Sequence, residues 1–140
     1  ERFSRRIAKT IIRQRAEAKI TTTQALARIV LMSLPKGYTR GKIDPATRTF
    51  QALRIAVNDE MGSLERGLDA CCDALKPGGR LCVIAFHSLE DRIVKNKFRV
   101  EAAKGTAKIL TKKPLRPTQE ECALNARSRS ARLRAIQRSA

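Results

Sequence analysis

Tryptophan is absent, tyrosine occurs once (Tyr38), and aromatics make up only 4% of the 140 residues, so any core must be aliphatic. Histidine also occurs once (His87), and the four cysteines (Cys71, Cys72, Cys82, Cys122) form no CxxC pair, which argues against a Cys/His zinc site. Three of the cysteines fall in apolar contexts and read as free, buried thiols suited to a reducing cytosol. No apolar run approaches about 18 residues, which speaks against a membrane-spanning helix. No signal peptide is visible. GxGxxG, P-loop, HExxH and GxSxG patterns are all missing. The chain therefore encodes no cofactor-binding first βα turn and no self-sufficient catalytic centre. Its first residue, Glu1, already lies inside a helical pattern, as expected of a chain cut from a longer one.

Acidic side chains are also scarce, 13 against 30 basic ones, for a net charge of +17. The excess is uneven. Residues 1–42 hold 11 basic and 2 acidic groups, residues 43–91 hold 5 and 8, and residues 92–140 hold 14 and 3. Two basic flanks around a slightly acidic middle point to a polyanionic partner, nucleic acid first. The alternative is a solvated basic surface. No recognition-helix signature supports a DNA-binding module. The length suits one domain, or one domain with a small annex, and the 42% hydrophobic content fits a folded chain rather than a disordered one.

Apolar residues at Phe3, Ile7, Ile11 and Ile12 predict a helix over residues 1–16, with Arg2, Arg5, Arg6, Lys9 and Arg13 on its other face. Thr21 and Gln24 match a capping box, opening a second helix to about Met32, which Pro35-Lys36-Gly37 ends. Residues 35–46 read as a basic loop. Thr47 is the expected N-cap of the next helix. Apolar residues then recur at helical spacing from Phe50 to Leu75. This predicts one helix with a face buried for about eight turns, roughly 43 Å long, with Gly62 as a weak point. Lys76-Pro77-Gly78-Gly79 is a strong stop.

Arg80–Phe86 (RLCVIAF) reads as a short strand buried on both faces. With the preceding helix it would make half of a βαβ unit. A helix should follow, with Ile93, Val94 and Phe98 inward and Arg92, Lys95, Lys97 and Arg99 outward. Ala107–Leu110 suggests another strand, broken by Pro114 and Pro117. Thr118 and Glu121 form a second capping box, and Asn125 closes that helix. In Ser130–Gln137, Ala131, Leu133 and Ala135 alternate with Arg132 and Arg134, as in a half-exposed strand. The alternative is a basic disordered tail.

Two clusters carry candidate chemistry. Ligands of open α/β sheets bind beyond the carboxyl ends of strands, where the segment FHSLEDR lies. His87 can exchange a proton near neutral pH, and Ser88 could cap the next helix, with Glu90 and Asp91 suiting its first turn. A capped helix start with a structural histidine explains most of the same residues. In PATRTFQALRIAVNDE, Arg48, Gln51 and Arg54 share one helical stripe. Arginine can grip phosphate and glutamine can bond a base edge; ordinary helix solubility is the alternative. Lys36, Arg40 and Lys42 add charge beside the same helix end.

The blocks PATRTFQALRIAVNDE and PGGRLCVIAFHSLEDRIVK, with ERFSRRIA near the start and NARSRSARLR near the end, closely resemble the RsmH (MraW) methyltransferases over nearly the whole chain. The resemblance implies an α/β, helix-rich protein: part of a class I S-adenosylmethionine-dependent, Rossmann-like fold with a helical insertion domain. Residues 1–44 would belong to the RNA-facing insertion and residues 45–140 to the carboxyl-terminal part of the methyltransferase domain. It implies methylation of N4 of a cytosine in the decoding region of small-subunit rRNA, in the bacterial cytoplasm. The cofactor, S-adenosylmethionine, would be bound upstream, so this chain alone is expected to be inactive and to bind none.

On this reading Arg48, Gln51 and Arg54 position RNA or the base, and His87 and Ser88 line the cytosine pocket. Arg127, Arg129, Arg132 and Arg134 hold phosphate. No metal and no membrane are expected; the small subunit is the expected partner. A half-domain with an exposed parallel-sheet edge should self-associate. Two positions depart from the family's usual pattern. Asp44 stands where the family has histidine before PATRTFQ, and Ala126 and Ser128 replace proline and alanine near the end. A non-catalytic basic RNA-binding protein is the competing reading.

Overall fold

The computed structural model describes residues 1–35, 38 and 44–140. The expected basic loop, with Lys36, Arg40 and Lys42, lies largely outside the described residues. The chain forms two compact units, Glu1–Asn58 and Asp59–Ala140.

The first unit contains α1 (Ser4–Glu17), α2 (Thr23–Met32) and α3 (Thr47–Val57). Its core is aliphatic, built from Ile7, Val30, Leu34 and Ala46 with Phe3, Ile11 and Phe50 packed against it. Tyr38 meets the Phe3 ring edge-on at 4.9 Å. The α2 cap is Thr22, not Thr21: its hydroxyl accepts from the Ala25 amide at 3.1 Å. Thr47 is likewise the first helical residue of α3 and not its cap. The Asp44 carboxylate accepts from the Ala46 amide at 2.7 Å, tying the turn just ahead of the helix.

The expected eight-turn helix is broken. Asn58 and Asp59 interrupt it, with Asp59 in the left-handed region (φ 46), and α4 (Glu60–Ala74) starts afresh. The break comes three residues before the glycine that looked weakest. The expected continuous buried face fails with it: α3 buries no residue, and Val57 is 82% exposed. On α4 the stripe does turn inward, through Leu68 and Cys72.

The second unit adds β1 (Arg80–Ala85), α5 (Ser88–Ala103), β2 (Ala107–Ile109), α6 (Gln119–Leu124), a 3-10 turn (Ala126–Ser130) and β3 (Arg132–Arg138). The sheet order is β1-β3-β2, and β3 runs antiparallel to both neighbours, with Cys82 opposite Ala135 and Ile109 opposite Ile136. β1 and β2 are therefore parallel to each other and joined through α5, with β3 inserted between them. The carboxyl-terminal segment is an ordered central strand, neither a half-exposed one nor a tail. β1, expected to be buried on both faces, is an edge strand here. Cys82 is exposed, and Ile84 and Phe86 are each 54% exposed. The core is Leu68, Val94, Phe98 and Ile136, flanked by Leu64, Leu81, Val83 and Ile109.

The glycine turn is tied to the far end of the sheet. Gly78, at φ 75, donates its amide to the Arg138 carbonyl at 3.1 Å, and Arg138 returns its own amide to the Gly79 carbonyl at 2.9 Å. The Arg138 guanidinium then donates to the Cys72 and Asp73 carbonyls, closing an α4 terminus that has no basic residue of its own. α4 and α5 are joined by Lys97, 2.6 Å from Asp69 and 2.9 Å from Glu101. The Lys97 ammonium and the Thr106 hydroxyl hold the Glu101 carboxyl down to about 2. All four cysteines are free, but only Cys72 is buried, and burial pushes its thiol up. Among the described residues, no helix is long and apolar enough to cross a membrane.

Candidate functional site

At the carboxyl end of β1 the chain leaves the sheet through Phe86 and enters α5 at His87. The expected capping serine is not the cap. His87 takes that place in an extended conformation, and its Nδ1 accepts from the Glu90 amide at 3.3 Å. The Glu90 carboxylate reaches back to accept from the Phe86 and His87 amides at 2.9 and 3.3 Å. This is a capping box with imidazole in place of a hydroxyl. Because Nδ1 accepts, the neutral ring carries its proton on Nε2. That nitrogen is buried without a hydrogen-bond partner, and lies 3.3 Å from Glu90 Oε1. Ser88 is exposed at the first helical position. Glu60 completes a trio: ligand atoms of Glu60, His87 and Glu90 lie within 4.8 Å of one another. The sequence suggested no metal site, and two members of this trio are already committed to the helix cap.

One turn on, Asp91 does more than favour a helix start. It is buried and accepts from Arg134 Nε at 2.7 Å and Nη2 at 3.2 Å, a two-point fork from β3 to α5. Arg132 adds a third contact at 3.3 Å. The hydrogen-bonded Arg134 guanidinium holds the Asp91 carboxyl below the ordinary carboxylate range. Arg132 and Arg134, expected to hold phosphate, are thus both engaged with Asp91. Arg134 is only 7% exposed and its charge is matched by Asp91; Arg132 is half-buried beside it.

The other expected arginines are placed differently. Arg127 and Arg129 are exposed on the 3-10 turn, which Asn125 opens by accepting from the Arg127 amide at 3.1 Å. The α6 helix just before it begins at Thr118 as expected, the hydroxyl accepting from the Glu121 amide. In the first unit, Arg48, Gln51 and Arg54 share α3. Arg48 and Arg54 are exposed and Gln51 is half-buried; Arg48 lies 3.6 Å from Glu1.

A feature the motifs did not reveal sits between α5 and the end of β2. Lys95, Phe98, Arg99, Ile109, Thr111, Lys112 and Arg134 line a cleft of 270 Å³. Its only sequence signal is the Lys95/Arg99 spacing on the outward face of α5. Its charge opposes a sulfonium cation, and no glycine-rich turn follows β1 to receive an adenosine. This cleft thus does not fit S-adenosylmethionine.

Residues 1–139 match the model of the MraW methylase family. The chain belongs to the MraW methylase family. It is 56% identical over 139 residues to ribosomal RNA small subunit methyltransferase H of Rhodopirellula baltica, covering 99% of this chain and 42% of the relative. It is 50% identical to the protein of the same name from Pelobacter propionicus, with 99% and 49% covered. A Neorickettsia sennetsu protein of that name is 52% identical, with 99% and 46% covered. The chain thus spans about half the length of the curated relatives it matches, and that half is their carboxyl-terminal portion. Membership in this family carries an S-adenosylmethionine methyltransferase fold. The second unit itself is helix-rich with a three-stranded sheet, an antiparallel strand between two parallel ones.

Proposed function

We propose that the whole protein is an S-adenosylmethionine-dependent methyltransferase of small-subunit rRNA, acting on N4 of a cytosine in the decoding region, in the bacterial cytoplasm. The observation that supports this most is the match of residues 1–139 to the MraW methylase family, together with relatives named for that rRNA activity. On this reading residues 1–44 belong to a helical insertion and residues 45–140 to the catalytic domain. This chain supplies the substrate side. The cofactor contacts belong to residues outside it, and alone it is inactive.

A cytosine amine is a weak nucleophile because its lone pair is delocalised into the ring. Such an enzyme must splay the base from its stack and hold the amine in line with the methyl group. Arg48, Gln51 and Arg54 are proposed to position RNA, and Arg127 and Arg129 to hold phosphate. Arg132 and Arg134 serve through Asp91, fixing β3 against α5. His87 and Ser88 form the pocket wall at the end of β1, where the imidazole acts as a positioning group through the cap.

Methyl transfer to intact small subunits by the full-length protein tests these roles. Arg48→Ala is expected to lower the rate at least about tenfold, the size of one lost charged hydrogen bond. His87→Asn, which retains a capping side chain, is expected to keep most of the activity that His87→Ala loses. Wild-type rates for Arg48→Ala, or equal losses for both His87 variants, would contradict the assignments.

The free edge of β1, with exposed Cys82, Ile84 and Phe86, is proposed to draw this chain into self-association when alone. Light scattering of the 140-residue chain should give a dimer mass or larger. A monomer at micromolar concentration would contradict that.

A further inference from the structure

We propose that the cleft between α5 and β2 is a phosphate-holding site for RNA, separate from the α3 and 3-10 arginines and resting on the rRNA reading above. Lys95 and Arg99 lie one helical turn apart on α5, and Lys112 faces them from the loop after β2. None of the three has an ion-pair partner among the described residues. Contrast their neighbours: Lys97 is held by Asp69 and Glu101, and Arg134 by Asp91. No carboxylate is among the described residues that line the cleft, the charge of its Arg134 is matched by Asp91, and three uncompensated cations converge on one cavity.

The floor fixes what can enter. Phe98 is 2% exposed, so its ring offers no stacking face, and Ile109 closes the rest. The Thr111 hydroxyl oxygen accepts from the Ala135 amide at 2.9 Å, which leaves its proton free to donate into the cleft. Donors and positive charge without a lining carboxylate, in 270 Å³, fit a phosphodiester better than a base or any other uncharged ligand. A backbone contact of this kind carries register and affinity rather than sequence.

The test is fluorescence anisotropy of the full-length protein on a labelled single-stranded rRNA oligonucleotide, over a salt series. The site variant is Lys95→Gln, Arg99→Gln, Lys112→Gln. The control removes the same charge elsewhere on exposed residues: Lys76→Gln, Arg80→Gln, Lys108→Gln. The site variant is expected to lose affinity about tenfold or more at near-physiological salt, and its log K against log salt slope should fall by about 2, at roughly 0.7 per lost contact. The control should lose about threefold or less. Lys112→Gln alone, in a loop, keeps the comparison valid where the α5 changes disturb folding. Equal losses in both triples would overturn the site while leaving the rRNA reading intact. A wild type that ignores RNA would remove both. Preference for a polyglutamate competitor over RNA would assign the cleft to acidic protein instead.

Discussion

Asp91→Ala is expected to destabilise the second unit by about 3–5 kcal/mol, the cost of leaving one half of a buried ion pair unmatched. The effect should be large because Arg134 cannot escape. It is 7% exposed on the central strand, and its fork spans 43 positions of sequence to reach Asp91. Urea denaturation, followed on the wild type and the variant, measures it. A second change, Arg134→Met in the Asp91→Ala background, should recover much of the loss by removing the orphaned charge. The acid limb has a definite sign. The folded-state carboxyl of Asp91 lies below its unfolded value of about 3.9. Its contribution is therefore fully present above that value and disappears as pH falls through the lower, folded one. The wild type should lose stability on acidification below about pH 4, and Asp91→Ala should do so less steeply. Identical acid limbs, or a loss under about 1 kcal/mol at neutral pH, would show that the pair is solvent-exposed in solution.

Phe98→Ala should cost a similar amount, about 3–5 kcal/mol, by opening a cavity in the second unit's core. Phe98 is enclosed by Leu68, Val94 and Ile136 and also floors the cationic cleft. One substitution should therefore lower both stability and RNA affinity. Val57→Ala is the contrast. Helical periodicity alone places Val57 on the same continuous stripe as Leu68, yet it is 82% exposed after the break at Asp59. Its change should stay within about 0.5 kcal/mol. Thermal or urea melts of the two variants, compared side by side, distinguish a broken helix from a continuous one.

Where the sequence was legible, the signal was local. Pro77-Gly78-Gly79 stops α4 because Gly78 alone among its neighbours takes a positive φ. The apolar spacing of Val94 and Phe98 gave the inward face of α5, and Thr118 gave the α6 cap. Errors at the other caps were of one residue, since adjacent threonines such as Thr21 and Thr22 carry equal propensity and only the tertiary placement of α2 chooses between them. His87 was visible as a residue at a strand end, but imidazole is not among the side chains that usually cap helices.

The larger differences are long-range. Arg132 and Arg134 alternate with apolar residues as an exposed basic stripe would, and no local pattern reports that Asp91 waits on another element. The composition of RLCVIAF describes a strand covered on both faces. The exposed Cys82, Ile84 and Phe86 are what that composition looks like without the partners that the proposed longer protein would supply.

The central claim is that this chain is the substrate-facing half of a methyltransferase whose cofactor site lies elsewhere. Calorimetric titration of S-adenosylmethionine into the 140-residue chain, beside the full-length protein, tests it most directly. Binding by the full-length protein alone is the predicted result. Micromolar binding by the chain would contradict the account by placing a cofactor pocket among the described residues. Binding by neither would turn the assignment toward a non-catalytic RNA-binding protein.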